Sequence, residues 1–338
     1  MEARTFLISR TDSIGDVVLS IPLAGLIKKK YPNSKVIFLG RTYTKSVIEC
    51  SEYIDGFMDW SIIENQSFDD QLTMLRFEKV DVFIHVFPNK DIAKLASKAK
   101  IPIRIGTSHR PYNLLYCNKL VSFSRKNSDL HEAELNIKLL KPIGIEYAGV
   151  SQDLKQHYGY SQIKPLKEKW QKLLSKDSPN IILHTKSKGS AREWGLDNFK
   201  ELIQISLEKG ANVFLTGTEE EGLLFREKLI QKQEQLFDLS GKMSLDELIS
   251  FISKVDVLVA ASTGPLHIAA ATGTFAIGIY PPIRPMHPGR WAPIGEKTKV
   301  FVLDKPNCKE CKDGNECKCM TSIKAQEVGT LIFQSETN

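Results

Sequence analysis

The chain has 338 residues, 42% of them hydrophobic and 25% charged, with 46 Lys and Arg against 40 Asp and Glu. That length exceeds what one hydrophobic core usually supports and points to two domains, while the composition excludes a disordered, fibrous or membrane-spanning chain. The net charge of +6 is spread as an excess of four positive charges in residues 1–160 and two in the remainder, so neither half reads as a nucleic-acid module.

Met1-Glu2-Ala3-Arg4 leads into an apolar stretch of only four residues, Thr5 to Ile8. This is too short for the core of a signal peptide, so a cytoplasmic protein is expected. Thr5–Ser9 reads as a strand. Asp16 to Tyr31 reads as one helix, with Val17, Ile21, Ala24 and Ile27 near helical spacing and Tyr31-Pro32-Asn33 ending it. Strands follow at 35–39 and 80–86, a helix at 89–99, a short strand at 103–106 and a helix at 131–140. Residues 145–178 are polar and break the rhythm, which marks them as the linker candidate. The alternation then restarts: strand 180–184, helix 197–209, strand 211–215, helices 219–231 and 245–253, strand 255–259, helix 265–271 and strand 275–279. Alternation of this kind predicts parallel sheets with helices on both faces, one in each domain. Ligands of such sheets sit beyond the carboxyl ends of the strands. Two facing domains would therefore make a cleft.

Four loops at strand ends carry chemistry. After the first strand, Arg10-Thr11-Asp12-Ser13-Ile14-Gly15-Asp16 opens a helix. Gly15 is expected to let the backbone turn tightly. Asp16 sits where a helix dipole favours a carboxylate, either as a cap or as a catalytic group. After the strand at 255–259, Ser262-Thr263-Gly264-Pro265-Leu266-His267 places a glycine and then a proline at a helix start. Free N–H groups there suit a diphosphate, with His267 one turn in. The loop His184 to Trp194 concentrates Lys186, Lys188 and Arg192 with hydroxyls and Gly189, a set fitted to phosphate oxygens. Glu219 and Glu220, after the strand at 211–215, could hold ribose or sugar hydroxyls or merely favour a helix start. Near the C-terminus stands Cys308-x2-Cys311-x5-Cys317-x-Cys319. These four thiols read either as a structural zinc site or as free thiols in a reducing compartment.

Taken together, these motifs resemble glycosyltransferase family 9, the ADP-heptose:lipopolysaccharide heptosyltransferases. Arg10 to Pro22 is similar to that family's opening signature, His131-Glu132-Ala133-Glu134-Leu135-Asn136 to a helix on its interdomain side, and Ser262 to Gly273 to its donor motif. Met286 to Gly295 and Cys319-Met320-x-x-Ile323 resemble its later segments, and the resemblance runs in order from about residue 4 to 325. It implies a GT-B fold of two doubly wound, Rossmann-like α/β domains facing across a cleft. Residues 1–160 would bind the acceptor and residues 161–338 the nucleotide-sugar donor.

The resemblance further implies an inverting sugar transfer with no obligatory metal, of a heptose from an ADP-linked donor to a lipopolysaccharide core or related glycan. Asp16 matches the family's general base. Arg192 falls where the family carries a basic residue for the donor diphosphate, and Thr263, Gly264 and His267 match the phosphate turn. Ser262 departs from heptosyltransferases proper, which often carry Asp there, so the resemblance does not fix the sugar. On the acceptor side the candidates are Ser13, Gly15, Arg41, Arg104 and Arg110. The expected partners are a nucleotide sugar and a glycolipid or oligosaccharide, with no nucleic acid and at most peripheral contact with the inner membrane, for a monomer. The competing readings are a nucleotide-sugar epimerase on the same fold and a non-catalytic nucleotide-sugar-binding module. The presence of Asp16 argues against the latter, because a pure binder needs no base.

Overall fold

A computed structural model describes residues 4–126, 128–306, 308–313 and 318–334. The chain divides into two compact units, Met1–Ile163 and Lys164–Asn338. Each is built on a six-stranded, wholly parallel sheet.

In the first unit the strands are β1 (Thr5–Ser9), β2 (Lys35–Gly40), β3 (Gly56–Asp59), β4 (Val82–His85), β5 (Ile103–Thr107) and β6 (Lys119–Val121), in the order β3-β2-β1-β4-β5-β6. In the second they are β7 (Asn180–His184), β8 (Asn212–Thr216), β9 (Leu236–Asp238), β10 (Val257–Ala261), β11 (Phe275–Tyr280) and β12 (Thr298–Val302), in the order β12-β11-β10-β7-β8-β9. Counted from the first strand of each unit, the two orders are the same.

The central strands are continuous apolar runs because helices cover both faces. Leu7, Ile37, Leu39 and Phe83 meet Trp60 and Leu95 on one face of the first sheet, while Phe6, Ile8, Phe38 and Ile84, at the alternate positions, are equally inaccessible. In the second sheet Leu183, Val213 and Ile277 pack with Trp194, Phe199 and Ile332. The edge strands β3, β6 and β9 have only three or four residues, too few for a periodic signal, and the sequence reading passes over them. It also passes over β12 and the helix Ala325–Gln334, which packs on helix Leu196–Glu208.

The single helix expected over 16–31 is two, Ile14–Val18 and Pro22–Lys30. Pro22 lacks an N–H and cannot continue the first helix, although the apolar spacing runs on through it. The freed carbonyl of Leu19 accepts from Asn136 Nδ2 at 3.2 Å. Nor is the stretch 145–178 slack. Ser151–His157 forms a 3-10 helix against Pro22–Lys30, where a Cβ on Gly25 would fall 2.5 Å from the His157 carbonyl oxygen. From Lys164 onward the segment belongs to the second unit: Lys164 Nζ pairs with Asp246 at 2.6 Å and Trp170 Nε1 donates to Glu247 at 3.1 Å. Among the described residues no helix is long and apolar enough to cross a membrane.

Candidate active site

In both sheets the strand order reverses beside the first strand, between β1 and β4 and between β7 and β10. Crevices at such reversals, at the carboxyl ends of the strands, are where open α/β sheets take their ligands. Most of the motif loops leave these strands.

In the first unit, β1 delivers Arg10 into a buried position, 3% exposed. Its guanidinium donates to both oxygens of Asp12, at 2.6 and 2.9 Å, to Asp16, and to Glu132 at 3.0 Å. Burial alone pushes it down, but the carboxylates of Asp16, Asp12 and Glu132 outweigh that and hold it above its ordinary range. Glu132, 1% exposed, also accepts from Arg125, so its buried charge is compensated by two guanidinium groups. It opens helix Glu132–Lys138, which His131 caps through a reciprocal pair with Glu134. Burial, and secondarily the Asp16 charge, pushes the Asp12 carboxyl up to about 6 against the pull of Arg10.

Asp16 does not cap its helix. Ser13 occupies the N-cap position and Asp16 lies in the first turn. One Asp16 oxygen accepts from Arg10, and the other accepts from the exposed Ser13 hydroxyl at 2.5 Å. The carboxylate keeps 17% of its side chain exposed. It is therefore an oriented acceptor, fixed from behind and open in front. Gly15 does not make the expected sharp turn: it is a buried residue within helix Ile14–Val18, outside the positive-φ glycines. Arg41, just past β2, pairs with Glu64 at 2.7 Å and donates to the Thr11 carbonyl at 3.3 Å. Arg110 is exposed and leads helix Pro111–Tyr116 beyond the end of β5. Arg104 lies elsewhere. It sits early in β5, level with Phe83, and clamps the Tyr116 carbonyl at 2.7 Å and that of Ile101. Its role there is to tie loops together at the other end of the strand.

In the second unit, β10 ends in Ala260-Ala261 and helix Gly264–Thr272 starts three residues later with Thr263 as N-cap and Pro265 in its first turn. The Thr263 side chain makes no cap hydrogen bond, and its hydroxyl is buried without a partner. Thr185, directly after β7, has a buried hydroxyl in the same condition. Since β7 and β10 pair, with Ala260 beside His184, two unsatisfied hydroxyls stand at adjacent strand ends beside a helix N-terminus. Buried polar atoms of this kind are costly unless something completes them. Tyr280, fully buried, donates its hydroxyl to the Trp291 carbonyl at 2.6 Å. His267 is buried, 3% exposed, one turn into the helix.

The loop after β7 closes as a tight turn, with the Ser190 N–H donating to the Ser187 carbonyl at 2.9 Å. Lys188 and Gly189 are both at positive φ, 47° and 78°, a turn in which glycine at the second centre removes the steric penalty. Lys186 pairs with Glu193 at 2.5 Å, and Arg192 Nη2 donates to the Cys311 carbonyl at 3.4 Å. Trp194 is fully buried edge-on to Phe199, as packing rather than base stacking requires. Glu219 is drawn to Arg226, at 2.5 and 2.7 Å, and Glu220 lies exposed, 3.9 Å from Lys188.

A sequence profile described as "Glycosyltransferase family 9 (heptosyltransferase)" matches residues 74–321, which is most of the chain. The chain belongs to glycosyltransferase family 9. A Haemophilus influenzae protein provisionally named a glycosyltransferase is 27% identical over 90% of both chains. The lipopolysaccharide core heptosyltransferase OpsX of the same organism is 21% identical over 97% of this chain and 93% of its own. Among solved structures, the Escherichia coli ADP-heptose lps heptosyltransferase II superposes with a TM-score of 0.77 at 20% identity, covering 98% of this chain and 99% of that one. The fold of this family 9 glycosyltransferase is thus the GT-B arrangement of two Rossmann-like sheets.

Several residues of the family 9 chain escaped the sequence reading as site members. Arg10 and Asp12 stand inside the quoted motif, but their burial and charge pairing are visible only in three dimensions. Glu132 reaches Arg10 from 122 residues away, and Arg125 backs Glu132 rather than Arg10. Thr185 stands among the hydroxyls of the loop after β7, and only its being buried without a partner sets it apart from them. Of the four C-terminal cysteines, Cys308, Cys311 and Cys319 converge, and Cys317 lies outside the described residues.

Proposed function

We propose that this chain is an inverting glycosyltransferase that moves a heptose from an ADP-linked donor to a lipopolysaccharide core or related glycan, at most peripherally bound to the inner membrane. The first unit would hold the acceptor, with Ser13, Arg41 and Arg110 near its entry. The second would hold the nucleotide sugar, with Ser262, Thr263, Gly264, His267, Lys186, Lys188 and Arg192 around the diphosphate, and Glu219 and Glu220 nearer the sugar or ribose hydroxyls.

The observation that carries the reading is the state of Asp16. Its carboxylate is oriented by Arg10, and its second oxygen accepts a hydrogen bond from the Ser13 hydroxyl. An acceptor sugar hydroxyl would take the place of Ser13 and give its proton to this oxygen as it attacks the anomeric carbon. Attack from the face opposite the leaving diphosphate inverts that carbon. The leaving group's charge would be met by the N–H groups at the start of helix Gly264–Thr272, the Thr263 and Thr185 hydroxyls, and Arg192. Positioning and proton removal together supply the acceleration. The family names of the relatives support heptose and ADP, and the charged loop after β7 supports a diphosphate.

The test is transfer with a panel of nucleotide sugars onto truncated core acceptors, with the anomeric configuration of the product read by NMR. The reading expects ADP-heptose to be the preferred donor and the configuration to be inverted. Preference for a uridine-linked donor, or retention of configuration, would refute it.

A further inference from the structure

The thiols of Cys308, Cys311 and Cys319 lie within 4.8 Å of one another and are 3, 2 and 3% exposed. One pair, Cys308 and Cys319, is 3.6 Å apart. A tetrahedral ion bonded to sulfur at about 2.3 Å sets its ligands about 3.8 Å apart. Among the described residues no other three His, Cys, Asp or Glu side chains converge in this way.

The setting calls for a cross-link. The cysteines form a small cluster with Ile283 alone, apart from the main core. They sit on or beside helices Lys309–Asp313 and Lys318–Thr321, of five and four residues. Helices so short do not hold themselves, and four apolar side chains bury little area. Cys308 and Cys311, three residues apart, fall on one face of the first of them. Three thiols packed together is therefore a poor core but a good chelate.

We infer that Cys308, Cys311 and Cys319 bind one zinc ion as thiolates, and that this ion fixes the C-terminal segment against the loop carrying Arg192. Binding releases the three thiol protons, and the fourth coordination position takes a further donor. The segment it fixes meets that loop and the helix after it through backbone carbonyls: Cys311 accepts from Arg192 and Ile323 from Trp194 at 2.9 Å, and Thr321 accepts from Asn198 of helix Leu196–Glu208 at 3.0 Å. The metal assignment stands on the thiols alone. Its effect on Arg192 rests on the donor reading above.

The test uses the full chain, purified anaerobically without chelator. Metal analysis should find about one zinc per chain, falling to under about a tenth of that in Cys308→Ser and Cys319→Ser and unchanged in Cys117→Ser. Because the serine variants could misfold, the unmodified chain is also loaded with cobalt, which should show the intense thiolate charge-transfer and visible bands of a tetrahedral site. Failure of the reduced protein to take up zinc, zinc that survives Cys319→Ser, a six-coordinate cobalt spectrum, or a disulfide joining two of these cysteines in protein kept from oxidants would each overturn the site. Removing the zinc should lower the melting temperature and weaken ADP binding several-fold. Unchanged ADP affinity after zinc loss would overturn the link to Arg192, and no ADP binding by the zinc-loaded chain would instead break the donor reading.

Discussion

The two strand-order reversals of this molecule are topologically alike and differ in how their loop side chains are paired. At the first, between β1 and β4, the charged loop groups satisfy one another: Arg10 is closed off by Asp12, Asp16 and Glu132. At the second, between β7 and β10, the hydroxyls of Thr185 and Thr263 are left without partners. The same fold thus makes one crevice whose charged loop groups pair with one another and orient a single carboxylate, and another whose two loop hydroxyls are buried without a partner among the described residues. A base needs a fixed position before substrate arrives, whereas a phosphate site needs donors that nothing else has claimed.

The contrast can be broken first at Arg10. Arg10→Ala takes one guanidinium from the buried Glu132 and the Arg10 contact from Asp16, and should cost about 3–5 kcal/mol of stability, read by denaturant unfolding. A loss below 1 kcal/mol by rough expectation for a surface pair would show that the network is not structural. The acid limb sharpens it next. Burial pushes the His85 imidazole at the end of β4 down from 6.5 to about 3. The unfolded chain therefore binds a proton below its ordinary value that the folded chain refuses until about pH 3, so His85 contributes stability above pH 6.5 that is lost as pH falls through that window. In His85→Leu this loss should vanish, shifting the stability difference in the variant's favour by up to about 1.4 kcal/mol per pH unit. Parallel pH profiles for the two proteins would contradict it.

At the second crevice the expected effect is smaller and of opposite kind. Thr263→Val removes a hydroxyl that has no partner among the described residues, so stability should hold or rise while ADP affinity falls by about tenfold. Calorimetric titration with ADP alongside thermal melting separates the two. Equal losses of both would mean that the hydroxyl serves the fold. Least of all should Arg104→Lys affect catalysis: its acceptor KM should stay within about twofold of wild type, while Arg110→Ala raises KM. A larger effect at Arg104 would bring that residue back to the acceptor side.

Much of this was legible in the residues. The turn at 262–264 announces itself because glycine and proline are placed where a helix must start, and the central strands because burial on both faces demands unbroken apolar runs. Asp16 was found by motif, but its meaning was not. Whether it caps or reacts depends on Ser13 taking the cap and on Arg10 taking one oxygen, and Arg10 is held there by Glu132, 122 positions away. Arg104 looked like its neighbours in charge and could be told apart only by its register, early in β5 rather than past its end. The break before Pro22 was written in the proline, yet the apolar spacing ran through it and outvoted it. The cysteines' one-residue second spacing hid the convergence of Cys308, Cys311 and Cys319, because two short helices rather than one loop bring them together.

The central claim is that Asp16 takes the acceptor's proton while the second unit holds the donor. Asp16→Asn keeps the size and the hydrogen-bonding reach of the side chain but removes its basicity. Steady-state transfer from ADP-heptose, measured together with ADP affinity, should show kcat reduced by about two to four orders of magnitude and ADP affinity unchanged. An Asp16→Asn enzyme that transfers heptose at the wild-type rate would contradict the account.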